Sequence, residues 1–197
     1  MTQVRAEGLA AALARGVPPL VWIHGDEPLL VQEAAQAVRD ALRSAGFAER
    51  QVFDGGRGFR PEAFVAEADA LSLFASRKLI ELRLAGRPTK EVGQLLADSG
   101  ARASDDTRFL VSGPRLDRAT TESAWFAALD RIALIVPIWP IERAQLPQWI
   151  GARLARQHQR ADRATLELIA ERVEGNLLAA HQEIGKLALL FPEGELP

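Results

Sequence analysis

The chain has 197 residues, enough for one large domain or two modest ones, and its 48% hydrophobic and 25% charged content is ordinary for a globular protein with an ample core. It has no cysteine, which excludes disulfides and cysteine metal sites, and its net charge of −2 gives no bulk pull towards nucleic acid. There is no signal-like N-terminal run and no apolar segment of membrane-spanning length, so a soluble, cytoplasmic protein without membrane contact is the expectation.

Leu9 to Leu13 reads as the end of a short helix closed by Gly16. Leu20-Val21-Trp22-Ile23-His24 is a compact apolar run rich in β-branched and aromatic residues, the pattern of a buried strand. After Gly25, Asp26 suits an N-cap and Glu27-Pro28 a first turn. Leu30, Ala34, Val38 and Ala41 then recur at helical spacing up to Gly46.

Gln51-Val52-Phe53 reads as a second strand, and Gly55, Gly56 and Gly58 as a loop. Pro61 opens a helix on which Phe64, Ala68 and Leu71 share a face. Leu79 to Leu84 alternates like a strand with Glu81 on the solvent face, followed by a helix around Val92, Leu95 and Leu96. Phe109 to Ser112 is the next strand, Trp125, Phe126 and Leu129 mark a helix, and Ile132 to Val136 is the last strand. Strands alternating with helices predict a mainly parallel sheet covered on both faces.

The pattern changes at Pro137-Ile138-Trp139-Pro140, so the sequence divides into an α/β domain at 1–138 and a helical domain at 139–197. Three apolar stripes follow: Leu146, Trp149, Ile150 and Leu154; then Leu166, Ile169 and Val173; then, beyond Gly175-Asn176, Leu177, Ile184, Leu187 and Phe191. The expectation is an all-helical, three-helix bundle.

A parallel α/β domain followed by a small helical bundle is the layout of AAA+ modules. In those, a Gly-rich loop with Lys and Ser or Thr follows the first strand, and helix N-terminal amides hold the phosphates. Here the turn is His24-Gly25-Asp26-Glu27-Pro28: it is short, it has no Lys, its carboxylates stand where a phosphate would sit, and Pro28 removes an amide donor. No apolar strand ends in paired acids for magnesium, since Asp105-Asp106 precedes its strand. His24, His158 and His181 are scattered without ligand spacing or a neighbouring nucleophile motif. No catalytic, cofactor or metal site is therefore expected.

The remaining signal is Ala70-Leu71-Ser72-Leu73-Phe74-Ala75-Ser76-Arg77, with three large apolar side chains at the apparent end of a helix, where polar or Gly stops are usual. An apolar tip on a charged surface is a candidate protein contact. Leu71 is in phase with Phe64 and Ala68 and reads as core. Leu73 and Phe74 fall past that stripe, and pattern alone leaves both packing at home and docking on a partner open. Arg77 and Lys78 either flank the contact or cap a strand.

Five stretches resemble, in order, the delta-subunit family of the bacterial DNA polymerase III clamp loader. They are Gly25 to Glu33, Leu71 to Arg77, Ala124-Trp125-Phe126, Gln145-Leu146-Pro147-Gln148-Trp149 and Glu174 to Ala179. The resemblance implies a degenerate AAA+ (RecA-like) domain and a helical lid-like domain, with the family's C-terminal collar missing from this length of chain. It implies a non-hydrolysing subunit of the DNA-directed DNA polymerase holoenzyme that binds the beta sliding clamp and springs its ring for loading on primed DNA. The clamp-binding residues so implied are Leu71, Ser72, Leu73 and Phe74. The general clamp motif resembles Gln-Leu-Ser-Leu-Phe, and Ala70 replaces its leading Gln. Implied partners are the clamp, the gamma/tau and delta-prime subunits (largely through the collar) and primer-template DNA in the full complex. The rival readings are an active AAA+ ATPase and a DNA-binding module acting through Arg side chains.

Overall fold

The computed structural model describes residues 3–70 and 77–196. They fall into two compact units, Met1–Trp139 and Pro140–Pro197.

The first unit begins with a 3-10 turn at Ala6–Gly8 and α1 (Leu9–Leu13), followed by β1 (Leu20–Gly25), α2 (Pro28–Ser44), β2 (Glu49–Asp54), α3 (Pro61–Asp69) and β3 (Lys78–Arg83). It continues through α4 (Lys90–Arg102), β4 (Thr107–Gly113), α5 (Arg118–Thr121), α6 (Ala124–Leu129) and β5 (Ala133–Ile138). The five strands make one parallel sheet in the order β2-β3-β4-β1-β5. β1 is an interior strand: Leu20 is in register with Phe109 on one side and with Ala133 on the other.

Both faces of the sheet are covered, which explains the unbroken apolar run of β1. Leu20 and Trp22 face a core built with Phe64, Leu96, Phe126 and Leu129, whereas Val21 and Ile23 face one built with Leu9, Leu13, Val38 and Leu42. Trp22 stacks on Trp125 with centroids 5.9 Å apart. Trp125 lies so close to α4 that a Cβ on Gly93 would come within 2.4 Å of its ring. β5 extends to Ile138, further than the apolar pattern suggested, because it is an edge strand and an edge tolerates the missing donor of Pro137.

Two expectations fail here. Glu81 is 1% exposed, not on a solvent face, because β3 is an interior strand and α2 lies across that face. Glu27, not Asp26, is the N-cap of α2: its carboxylate accepts from the Leu29 N–H at 3.4 Å, with Pro28 as the first helical residue.

The second unit holds a 3-10 turn at Arg143–Gln145, α7 (Leu146–Arg156), β6 (Gln159–Arg160), α8 (Arg163–Arg172), α9 (Leu177–Leu190) and β7 (Gly194–Glu195). Leu146, Ile150 and Leu154 of α7 are buried, as are Leu177, Ala180 and Ile184 of α9. Asp162 and Asn176 cap α8 and α9 by accepting from Thr165 and Ala179 N–H at 2.8 and 3.0 Å. The unit is not purely helical, since β6 and β7 pair in parallel. Buried Gln159 explains this closure, as its amide donates to the carbonyls of Leu187 and Phe191 at 3.1 and 3.0 Å and holds the end of α9 against β6.

Candidate functional site

The residues singled out for partner binding, Leu71, Ser72, Leu73 and Phe74, lie outside the described residues. Their flanks do not. α3 ends at Asp69, with Ala70 leaving the helix in an extended conformation, and β3 starts at Lys78.

Lys78 ties these two flanks together. Its side chain is 5% exposed and its ammonium donates to the carbonyls of Glu67 and Ala70, with the Glu67 carboxylate 3.8 Å away. The last carbonyls of a helix have no intrahelical donors, and the negative end of the macrodipole lies there. A buried ammonium at that point satisfies both, and it is itself tolerable in the interior because its protons are hydrogen-bonded. The preceding Arg77 is fastened elsewhere. Its Nη1 donates to the Ala45 carbonyl just past α2 at 2.8 Å, its Nε is 3.5 Å from Asp106, and its guanidinium lies 5.6 Å from the centre of the Phe47 ring. Arg108 lies over the same ring at 5.4 Å. Arg77 thus anchors the entry to a strand, whereas Lys78 caps a helix, a role outside the two that the sequence suggested for this pair.

The carboxyl ends of β1, β4 and β5 form the second region of interest, because ligands of open α/β sheets bind beyond that edge. The link from β1 to α2 is only Asp26-Glu27. Gly25 is required there by packing: a Cβ would stand 2.3 Å from the Ile138 carbonyl oxygen of neighbouring β5. The anion position at the head of α2 is taken by Glu27, whose carboxyl pKa is raised by partial burial against the opposing effect of the Leu29 N–H. The Asp26 carboxylate accepts from the Arg115 main-chain N–H at 3.2 Å and thereby draws the segment after β4 towards β1.

His24 sits beside this turn, 8% exposed. Its Nδ1 accepts from the Leu116 N–H at 3.4 Å, which places the imidazole proton on Nε2. Burial lowers its pKa to about 4, the Arg115 charge lowers it further and the Asp26 charge opposes them. The ring is therefore neutral at physiological pH. No group of three or more His, Asp or Glu among the described residues is placed to hold a metal ion.

A third cluster was not legible as such in the sequence. Glu81 accepts from Arg39 Nη1 at 3.1 Å, from Arg50 Nε at 2.8 Å and from Arg83 Nε at 2.9 Å. Burial favours the protonated acid, but the Arg83 hydrogen bond together with the Arg39 and Arg50 charges outweighs it and holds the carboxyl below its ordinary value. The cluster binds α2 and β2 to β3, so its role is structural. The one sequence signal for it was a carboxylate inside a strand, set between Ile80 and Leu82.

Comparison with known proteins gives consistent matches. The family model described as DNA polymerase III, delta subunit, matches residues 22–138. The chain is 34% identical over 197 residues to DNA polymerase III subunit delta of Escherichia coli (strain K12), all of this chain against 57% of that protein. It is 22% identical over 199 aligned residues to the subunit of the same name from Haemophilus influenzae, spanning 58% of it. The chain thus spans under two thirds of the length of these relatives. Among solved structures, the Bacillus subtilis DNA clamp loader delta protein superposes with a TM-score of 0.68 at 19% identity, over 97% of this chain and 59% of that one. A variant of RuvB from Thermotoga maritima superposes with a TM-score of 0.56 at 18% identity, over 96% and 63%. These two likenesses are of fold: a RecA/AAA+-like parallel sheet with flanking helices and a helical C-terminal region.

Proposed function

The chain belongs to the DNA polymerase III delta-subunit family, and from that premise we propose that it binds the beta sliding clamp and opens the ring for loading onto primed DNA without hydrolysing nucleotide. The contact is made by Leu71, Ser72, Leu73 and Phe74, at the tip between α3 and β3 of the degenerate AAA+ domain, residues 1–138. Residues 139–197 act as its lid-like companion. The observation that carries this reading is the coincidence of the family match with a Leu-Ser-Leu-Phe run between two firmly anchored flanks.

The energetics suit a hydrophobic plug. Burying Leu73 and Phe74 fully in a partner is worth about 1.5–3 kcal/mol each, or about 3–6 kcal/mol together before ordering costs. That is hot-spot scale. Opening a ring needs more than affinity: the open or distorted clamp must be bound better than the closed one, because equal affinity shifts no equilibrium.

The absence of hydrolysis in this proposal is supported by what fills the nucleotide position. The head of α2 is occupied by Glu27 and Pro28, and Gly25 is pressed against Ile138. Helix N-terminal donors already satisfied by a carboxylate of the same chain are poor ligands for phosphate. Assembly with gamma/tau and delta-prime subunits, contact with primer-template DNA in the full loader, and a cytoplasmic setting complete the proposal.

The test is a titration of purified sliding clamp onto this chain with no nucleotide present. Saturable binding is the predicted result. No binding, or binding only with magnesium-ATP, overturns the proposal.

A further inference from the structure

A pocket of about 190 Å³ opens at the carboxyl edge of the sheet, between the ends of β1 and β5 and the segment from Arg115 to Thr121. Its walls are largely apolar, from Leu116, Pro137, Ile138 and Trp139, and its charged neighbours are Asp26, Arg115, Asp117 and Arg118. Three of those four charges are already committed. Asp26 accepts from the Arg115 main-chain N–H, Asp117 caps α5 at Thr120 and pairs with Arg87 at 2.7 Å, and Arg118 pairs with Glu122 at 2.6 Å.

Two donors remain unspent. The Arg115 guanidinium lies over the Trp139 ring, 4.4 Å from its centre, and pairs with no carboxylate of the described residues. Stacking uses the face of a guanidinium and leaves its in-plane N–H fork free. The other donor is His24, more than nine-tenths buried, whose Nδ1 is engaged with Leu116 while the opposite Nε2–H has no partner among the described residues. A neutral N–H without a protein acceptor and an aromatic-braced cation on one small pocket are the complement of a planar oxyanion.

We propose that this pocket binds a single carboxylate group, held by the in-plane fork of Arg115 and the Nε2–H of His24. One cation and one neutral donor match one negative charge. A phosphate dianion is disfavoured, because Asp26 and Asp117 stand beside the site. The apolar walls suit a carboxylate carried on an apolar or planar body. The proposal uses none of residues 71–74 and stands whether or not the clamp reading does.

The test follows the His24 imidazole resonance in the whole 197-residue chain by NMR. Only three histidines are present, so a His24→Gln sample assigns the signal. The probes are benzoate, N-acetylglutamate amide, benzamide and inorganic phosphate. The expected result is a saturable shift with a carboxylate probe, in the millimolar range that so small a fragment permits, weakened about tenfold or more in Arg115→Ala. Arg115 is exposed, so this variant keeps the fold, which a circular dichroism spectrum checks. Benzoate binding alone assigns the pocket to free planar acids, and N-acetylglutamate amide binding alone assigns it to acidic side chains; both support a carboxylate site. No shift with either carboxylate, equal shifts with benzamide, tighter binding of phosphate, or undiminished binding in Arg115→Ala overturns it.

Discussion

The ammonium of Lys78 donates to the main-chain carbonyl of Ala70, eight residues earlier in the chain. This bond joins the first residue of β3 to the residue that ends α3, across the stretch that carries the Leu-Ser-Leu-Phe run. The same ammonium also serves the Glu67 carbonyl, so a single side chain closes the helix and joins the two stems of the tip.

Lys78→Met keeps the aliphatic length and removes the donors. Two helix-end carbonyls then lose their partner in a partly buried place, at a cost of about 1 kcal/mol or somewhat more. The urea midpoint of unfolding is expected to fall accordingly, and clamp affinity to fall with it as the stems of the tip loosen. Wild-type stability in this variant contradicts the capping role.

Glu81→Gln leaves three guanidiniums facing a neutral amide. Breaking a buried ion pair from one side typically costs about 3–5 kcal/mol, and the partial exposure of Arg50 and Arg83 brings the expected loss to about 2–4 kcal/mol. The pH dependence follows from the direction of the shift. The Glu81 carboxyl is held below its ordinary 4.5, so the stability it contributes is present above that value and is lost as pH falls through the lower, folded pKa. Denaturation curves taken from neutral pH to below 4.5 are expected to show a smaller acid loss in Glu81→Gln than in the wild type. Parallel curves contradict the assignment.

His24 acts in a higher window. Folding lowers its pKa from 6.5 to about 4, so the unfolded chain takes up the proton first and acid favours unfolding. Stability drops as pH falls from 6.5 to about 4, by on the order of 3 kcal/mol for a group this buried. His24→Gln keeps an acceptor for the Leu116 N–H but does not titrate, and its profile is expected to be flat over that interval apart from what other groups contribute. An unchanged slope contradicts a buried neutral His24.

A ligand that binds only the folded chain raises its melting temperature by mass action. With Glu27 and Pro28 at the head of α2, magnesium-ATP is expected to leave the melting temperature of this chain unchanged. A concentration-dependent rise contradicts the account of the filled nucleotide position.

Much of the fold was legible because its signals are local. The run Leu20 to Ile23 could only be a strand buried on both faces, and it is. The shortness of the turn between Gly25 and Pro28 was visible in the same way. What escaped depends on residues far apart in the chain. The arginines that make Glu81 tolerable in the interior lie 42, 31 and 2 positions away. The pairing of β6 with β7 joins two-residue strands whose composition carries no β signal, and it rests on the amide of Gln159. Asp26 looked like the cap of α2 because an Asp before Glu-Pro fits the pattern, yet the Arg115 N–H, 89 residues on, takes its carboxylate and leaves the cap to Glu27. At the candidate site the apolar run itself could be read directly, whereas the role of Lys78 could not, because its acceptors are main-chain carbonyls that no residue type announces.

The account stands most directly on the clamp affinity of Leu73→Ala combined with Phe74→Ala, measured without nucleotide beside the unaltered chain, with urea denaturation of both as the control for folding. Removing about 3–6 kcal/mol of apolar burial predicts a loss of roughly a hundredfold or more in affinity at unchanged stability. Clamp binding equal to that of the unaltered chain would contradict the assignment of the tip.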